Sequence, residues 1–367
     1  MRTIDDIKII CYLADEEELA LVRRFLSLPG KNIIRCEDER DMGSRIEEIK
    51  AAGIGSKEAV ILAPFKGRLF QKCPGSPGMI CCNYRLINTC FDCLYDCTYC
   101  FLGSYLNAFG IVQFTNLGDI MGEIASKLDM NSGMIYRIGT GEFTDSLMMD
   151  RVTGIAESVI RACRDYPNVM PEFKTKSDNV DHLLDIPEKG NAVLAWSLNT
   201  ERNISLYERD TASLGERIGA ARRACAAGFR VAFHFDPMIR YEGYLDEYRG
   251  VLDQVWAAVD PSKIMWISLG CFRYAPGFKE TMRERFPDER LSLEEMVQGP
   301  DGKFRYLARI REEAYSFMLR EIRGRAGNPF VYLCMEGPGM WHRVFGARYD
   351  RSEELESEFS EHLKKCI

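Results

Sequence analysis

The sequence predicts an α/β fold: a partial (β/α)6 barrel, preceded by a small N-terminal α/β unit and followed by an α+β extension. Two observations carry this. From Tyr84 onward, short β-prone runs alternate with polar turns and amphipathic segments, as parallel strands covered by helices require. The 367 residues also leave ample core for one large α/β body or two domains. The pairs Pro74-Gly75 and Pro77-Gly78 break the pattern before the barrel begins. The expected units are therefore residues 1–75, 76–280 and 281–367.

In the first unit, residues 9–13 read as a strand and residues 59–62 as another. Between them, residues 15–28 read as a helix with Leu19, Leu21, Val22, Phe25 and Leu26 apolar. Nothing catalytic stands out there. In the barrel, residues 86–89 form the expected first strand and lead into a cysteine-rich loop. A helix is expected from Asn116, whose side chain suits a cap, with Ile120, Ile124 and Leu128 as its buried stripe. Further strands are expected at 134–138, 172–175, 193–197, 230–235 and 264–269. Ser213 and Glu216 form a capping box for a helix that stops at Gly228. The extension contains an Arg-rich helical stretch over 303–325, a strand at 330–335 and an amphipathic helix over 352–366 with Leu355, Phe359 and Leu363 on one stripe.

Composition narrows the function. No N-terminal basic region precedes a long apolar run, which argues against export and membrane insertion. Fourteen cysteines without a signal peptide read as thiols and metal ligands in a reducing, cytoplasmic compartment. The formal net charge of -7 means that nucleic-acid binding would require Lys and Arg to be gathered on one face. Arg and Lys do cluster over 217–230, 273–290 and 303–325, but acidic residues interrupt the last two, as on a solvated helix face.

The loop reads C-F-D-C-L-Y-D-C-T-Y-C-F-L-G from Cys90 to Gly103. Cys93, Cys97 and Cys100 have the spacing C-x3-C-x2-C, with Tyr99 just before the last. Three thiolates on so short a loop can hold a four-iron cube and leave the fourth iron open to a reactant. Zinc remains an alternative, with Cys90, Cys81 or Cys82 as a fourth ligand, and would make the chain a metal-stabilised binding module without turnover. Reduced core thiols are the plainest alternative, though this stretch is polar and turn-like.

The loop resembles that of radical S-adenosylmethionine (SAM) enzymes, and further runs resemble spore photoproduct lyase and its relatives. These are C-T-Y-C-F-L-G-S-Y-L-N followed by Phe114-Thr115-Asn116-Leu117, then Thr175-Lys176-Ser177-Asp178-Asn179-Val180-Asp181-His182-Leu183-Leu184. Ser197-Leu198-Asn199, Arg217-Ile218 with its Ala-rich helix, and Pro237-Met238-Ile239 with Glu242-Gly243 complete the ordered series, over roughly residues 82–275. The resemblance implies a radical SAM barrel with a 4Fe-4S cluster on Cys93, Cys97 and Cys100. It implies SAM bound through the open iron and cleaved to a 5'-deoxyadenosyl radical that abstracts hydrogen from substrate. A reductase, or a ferredoxin- or flavodoxin-type protein, would supply the electron.

The resemblance also implies roles for matching residues. Lys176 would hold the SAM carboxylate, and Gly139, Thr140, Gly141 and Glu142 would contact its amino group. Ser197 and Asn199 would bond ribose or methionine. Each has a structural alternative: a solvated lysine, a plain glycine turn, or a Ser-x-Asn strand end. By analogy with complete barrels, whose chemistry sits at the C-terminal strand ends, Asp145, His234, Asp236 and Arg273 would line the substrate side. The alternatives for these are a helix cap, a turn before Pro237, and structural hydrogen bonding.

The family repairs a cross-linked thymine pair with a hydrogen relay of one cysteine and two tyrosines. Tyr99 keeps one tyrosine, while Phe101 stands for the other and Glu142 occupies roughly the place of the thiol. The expected substrate is therefore thymine-lesion DNA or, with the relay mostly missing, an RNA, a peptide or a small molecule.

Overall fold

The computed structural model describes residues 1–105, 109–118, 120–128, 133–346 and 349–367. Its first sheet is built on β1 (Ile9–Leu13), which lies parallel to and between β2 (Asn32–Cys36) and β3 (Ala59–Ala63). All of β1 is buried, as a parallel strand covered on both faces must be. The helix Ala20–Leu26 packs on one face through Val22 and Phe25, and Glu39–Ala51 packs on the other through Met42 and Ile49. The first of these is shorter than expected. Ala14–Glu16 is a separate 3-10 turn, and Leu19 is exposed.

Next come β4 (Phe70–Lys72), β5 (Arg85–Ile87), β6 (Cys90–Phe91), β7 (Asp96–Cys97) and β8 (Ile111–Phe114). The first sheet reaches past residue 75 to take in β8, parallel to β3, and β6, antiparallel to β8. The cysteine-rich loop thus springs from the edge of this sheet. Asn116 does not start a helix. Its side chain instead accepts from Phe65 N at 2.8 Å and donates to Phe65 O at 3.0 Å, and the helix runs Ile120–Lys127. The expected apolar stripe is still buried at Ile120, Ile124 and Leu128.

The remaining strands are β9 (Tyr136–Gly139), β10 (Val169–Thr175), β11 (Val193–Ser197), β12 (Glu208–Arg209), β13 (Arg230–Met238), β14 (Ile264–Cys271), β15 (Arg273–Tyr274), β16 (Val297–Gln298), β17 (Phe304–Arg305) and β18 (Phe330–Leu333). The second sheet has the order β18-β14-β13-β11-β10-β9-β5-β4, with only the β4–β5 pair antiparallel. Ile80 N donates to the Glu336 carbonyl at 2.9 Å, tying the chain before β5 to the chain after β18. The sheet is thereby curled into a half-barrel. The six expected barrel strands are present with shifted ends, and β18 adds another parallel strand. The capping box at Ser213 and Glu216 starts the helix Leu214–Ala226 as the sequence indicated.

Side chains alternate across each strand, so one set faces the barrel interior. Arg137 of β9, Glu172 of β10, His234 of β13, Ser268 of β14 and Tyr332 of β18 are buried there and joined by hydrogen bonds or ring contacts. The C-terminal helix Ser352–Lys364 closes one end. Phe359 stacks on Phe330 at 4.2 Å and meets Trp266 edge-on at 5.7 Å, while the Arg137 guanidinium lies 4.3 Å from the Phe359 ring centre. Glu356 on the same helix pairs with Arg85 at 2.7 Å. No helix among the described residues is long and apolar enough to cross a membrane.

Candidate active site

The cysteine loop is held between the two sheets. It leaves β6, and it returns through β7, which pairs with β12 beside the barrel. Asp92 takes a left-handed backbone (φ 71°), rare for a residue with a side chain, and its Oδ1 accepts from Cys93 N at 2.8 Å. Arg2 donates to Leu94 O at 3.2 Å, and Arg285 pairs with Asp96. Leu94 is fully buried, which anchors the loop between Cys93 and Cys97.

Cys97 is buried, and Cys93 and Cys100 are half-buried. Burial pushes all three thiols up, Cys97 to about 12, against the pull of Lys57 on Cys93 and Cys100 and of Lys176 on Cys97 and Cys100. A bound metal would reverse this, since a coordinating thiol gives up its proton. Among the described residues no three candidate ligands close around a single ion. The donor set, three thiols on one loop with two lysines nearby, is one that could hold a soft metal centre.

Tyr99 turns away from the loop and donates its hydroxyl proton to Glu208. Glu208 forms a 2.6 Å ion pair with Arg217 whose side chains are 1% and 0% exposed. Arg217 also donates to Ser197 O, Ala212 O and Thr211 Oγ1 at 2.9, 2.9 and 2.7 Å. A buried relay of charge therefore runs from the loop to the end of β11. Lys176 lies over the Tyr99 ring, with its ammonium 5.8 Å from the ring centre. This places it beside the loop.

Asn199 has a different place. Its amide donates to Glu208 and to Pro237 O, and its oxygen accepts from Thr200 N, Asn203 and Tyr248. With the residue fully buried and every donor engaged, Asn199 positions Glu208 and the strand end and has nothing left for a ligand. Ser197 is buried at the end of β11, where its carbonyl serves Arg217.

At the end of β9, glycine is required. A Cβ on Gly139 would fall 1.6 Å from the Tyr84 hydroxyl and 2.8 Å from Glu172 O, and one on Gly141 would fall 2.7 Å from Ser146 Oγ. The Tyr84 hydroxyl and Thr140 Oγ1 are buried without a hydrogen-bond partner. Two buried hydroxyls without partners at this strand end are groups that a polar ligand could satisfy. Glu142 is half-buried there, close enough to act electrostatically on Tyr84 and on Lys174.

The other expected substrate residues divide. Asp145 accepts from the Thr175 hydroxyl (2.7 Å), Lys176 N (2.7 Å) and Leu147 N (3.0 Å), so it fastens the turn that carries Lys176. Burial raises its pKa despite those donors. His234 sits between Glu172 (2.6 Å) and Ser268 (2.7 Å). Burial lowers the His234 pKa against the pull of Glu172. Asp236 and Arg273 form a two-pronged pair at 3.0 and 3.2 Å, and Gly270 leaves room for that carboxylate, since a Cβ there would lie 2.5 Å from Asp236 Oδ1. These three face the interior, paired with protein groups. Sequence reasoning missed Lys57, Tyr84, Lys174 and Glu208, none of which belongs to a recognisable run.

A half-barrel of parallel strands with a three-cysteine loop at the strand ends defines a radical SAM enzyme. The family profile for spore photoproduct lyase matches residues 81–319, well over half of the sequence, and the chain belongs to that family. Among curated relatives, the spore photoproduct lyase of Geobacillus sp. is 27% identical over 230 residues, covering 60% of this chain and 67% of the relative. That of Clostridium acetobutylicum is 24% identical over 311 residues, covering 80% and 90%. A cysteine-to-alanine variant of spore photoproduct lyase, solved with dinucleoside spore photoproduct, superposes with a TM-score of 0.76 at 21% identity over 89% of this chain and 98% of its own. A double variant solved with bound AdoMet and the same dinucleoside gives 0.74 at 21% identity, with the same coverage. At these identities the superpositions show the fold.

Proposed function

We propose that the chain holds a 4Fe-4S cluster on Cys93, Cys97 and Cys100, binds SAM at the open iron, and acts on a nucleic-acid substrate carrying a thymine lesion. The observation that carries the reading is the placement of the three thiols. The loop is fixed by Asp92, Leu94 and Asp96, and it meets the strand ends at Phe143, next to Glu142, and at Lys176. When bound, the cluster and SAM would supply one electron and a 5'-deoxyadenosyl radical. The chain's own residues then have distinct tasks. Lys176 offers a cation to a carboxylate, and Glu142 offers an anion to an amine. Tyr84 and Thr140 offer free hydroxyls, Asp145 fastens the turn that carries Lys176, and Asn199 and Glu208 anchor Tyr99 of the loop. A ferredoxin- or flavodoxin-type protein, or a reductase, is the fitting electron donor.

The lesion reading comes from the relatives, two of which were solved with dinucleoside spore photoproduct. A second reading, with RNA, a peptide or a small molecule as substrate, is favoured by two observations. No thiol lies between Gly139 and Asp145, and Phe101 stands where a second relay tyrosine would be. In addition, arginines that might have formed a basic face are taken up: Arg217 is fully buried, and Arg305, Arg311 and Arg325 pair with Asp301, Glu336, and Asp253 and Glu321.

The test is anaerobic reconstitution with iron and sulfide, followed by SAM and a strong reductant. 5'-Deoxyadenosine should form, and Cys97→Ala should abolish it. Iron-loaded protein that makes none would refute the reading, and zinc without iron after anaerobic purification would support a binding module instead. Equal binding of lesion-bearing and undamaged DNA at moderate salt would remove the repair substrate in favour of the second reading.

A further inference from the structure

The first sheet touches the cysteine loop through a cation it does not share with the barrel. Lys57, in the 3-10 turn Ser56–Glu58 that leads into β3, pairs with Asp92, the residue just before Cys93. Both side chains are largely buried, 15% and 17% exposed, so water screens the pair only weakly. The pair is fixed on both sides. Asp92 is held by Cys93 N and by its own N–H donated to Phe143 O at 3.0 Å, and Lys57 lies in the 3-10 turn directly before β3. The ammonium also acts electrostatically on Cys93 and Cys100. Lys176 approaches Cys97 and Cys100 from the barrel side, so cations from two separate sheets flank one loop.

We propose that Lys57 is a positioning residue for the iron–sulfur cluster, through which the first sheet offsets the Asp92 charge and so holds up the reduction potential of a centre it does not ligate. This rests on Cys93, Cys97 and Cys100 holding the cluster as proposed above. Reduction adds one electron from an external ferredoxin- or flavodoxin-type donor and moves no atoms, so the site becomes more negative by one charge. A fixed cation nearby favours that state. With an effective dielectric constant of about 20, a unit charge shifts the reduced-to-oxidised ratio tenfold out to about 12 Å. Lys57 lies within that range, because its ammonium bonds the residue adjacent to Cys93. Asp92 opposes it with a charge of the other sign.

The experiment uses the full chain, reconstituted anaerobically as wild type, Lys57→Met, Lys57→Arg, Asp92→Asn and the Lys57→Met/Asp92→Asn pair. Iron and sulfide content is measured first, and the midpoint potential is then followed by electron paramagnetic resonance during a redox titration. Lys57→Met should lower the potential by about 59 mV, a tenfold change for a one-electron couple. Asp92→Asn should raise it, and Lys57→Arg and the double variant should stay near wild type. Opposite shifts are the signature of charge, because a merely loosened loop would move both single variants the same way. Shifts of the same sign, or none beyond about twofold, in iron-loaded variants would overturn the role of Lys57 and leave the cluster intact. A wild type that takes up no iron would overturn the cluster assignment, and the proposal with it.

Discussion

Glu208→Gln isolates the buried relay that joins the cysteine loop to the barrel. The substitution keeps the shape of the side chain and an oxygen for Tyr99, but it leaves the Arg217 guanidinium without its carboxylate. The two side chains are 1% and 0% exposed, so no water replaces the lost charge. Breaking a buried pair by removing one partner costs about 3–5 kcal/mol. Three neutral acceptors remain on Arg217, at Ser197 O, Ala212 O and Thr211 Oγ1, which places the expected loss near the lower end, at about 3 kcal/mol. Urea unfolding followed by far-ultraviolet circular dichroism measures it, and combining Glu208→Gln with Arg217→Met should cost less than the sum of the single changes.

The pH dependence gives a second reading of the same pair. Burial works against the Glu208 charge, but Arg217 and Lys176 outweigh it and hold the carboxyl below its usual range. A carboxyl with a depressed folded pKa stabilises the protein above its unfolded value of about 4.3, and that contribution fades as pH falls through the folded value. The gap between wild type and Glu208→Gln should therefore be full at pH 7 and shrink below about pH 4. A loss under about 0.5 kcal/mol at pH 7, or strict additivity with Arg217→Met, would refute the reasoning.

Gly139→Ala should cut SAM affinity at least tenfold in equilibrium binding to reconstituted protein, because the added methyl group meets the Tyr84 hydroxyl and the Glu172 carbonyl. Phe359→Ala should cost about 3–5 kcal/mol in thermal or urea unfolding, since it removes the ring that closes the barrel over Arg137 and Trp266. Glu172→Gln should change the acid limb of stability. Burial opposes the Glu172 charge, but His234 and Arg137 hold the carboxyl at about 2, so wild type should keep this contribution until pH falls from about 4.3 toward 2, while the variant shows no such step.

Much of the barrel was legible because strands buried on both faces leave continuous apolar runs and helix starts carry local chemistry. The capping box at Ser213 and Glu216 is an example, since both partners lie within one turn. Asn116 shows the limit. Its identity suits a helix cap, yet a backbone 51 residues away satisfies it instead. The resemblance gives Asn199 a ligand role while Ser-x-Asn equally suits a strand end, and its set of internal partners comes from positions that the local run does not contain. Lys57 and Glu208 left no trace in the sequence, because their meaning lies in Asp92 and Arg217, which the fold brings to them. Asp236 and Arg273 read as separate candidates, and the structure joins them into one pair.

The closure of the barrel by the helix Ser352–Lys364 has a consequence for how the protein is made. Arg85 and Arg137 meet Glu356 and Phe359 across more than two hundred residues of sequence. Until those last residues leave the ribosome, two arginines and the aromatic rings around Arg137 face water through an open floor. Contacts of such separation form late and slowly, and unfinished sheets with exposed apolar surface are prone to associate. A chain ending shortly before residue 352 would keep every expected cluster and SAM residue and still lack the lid on its own core. Its solubility, rather than its chemistry, would be the first property to fail.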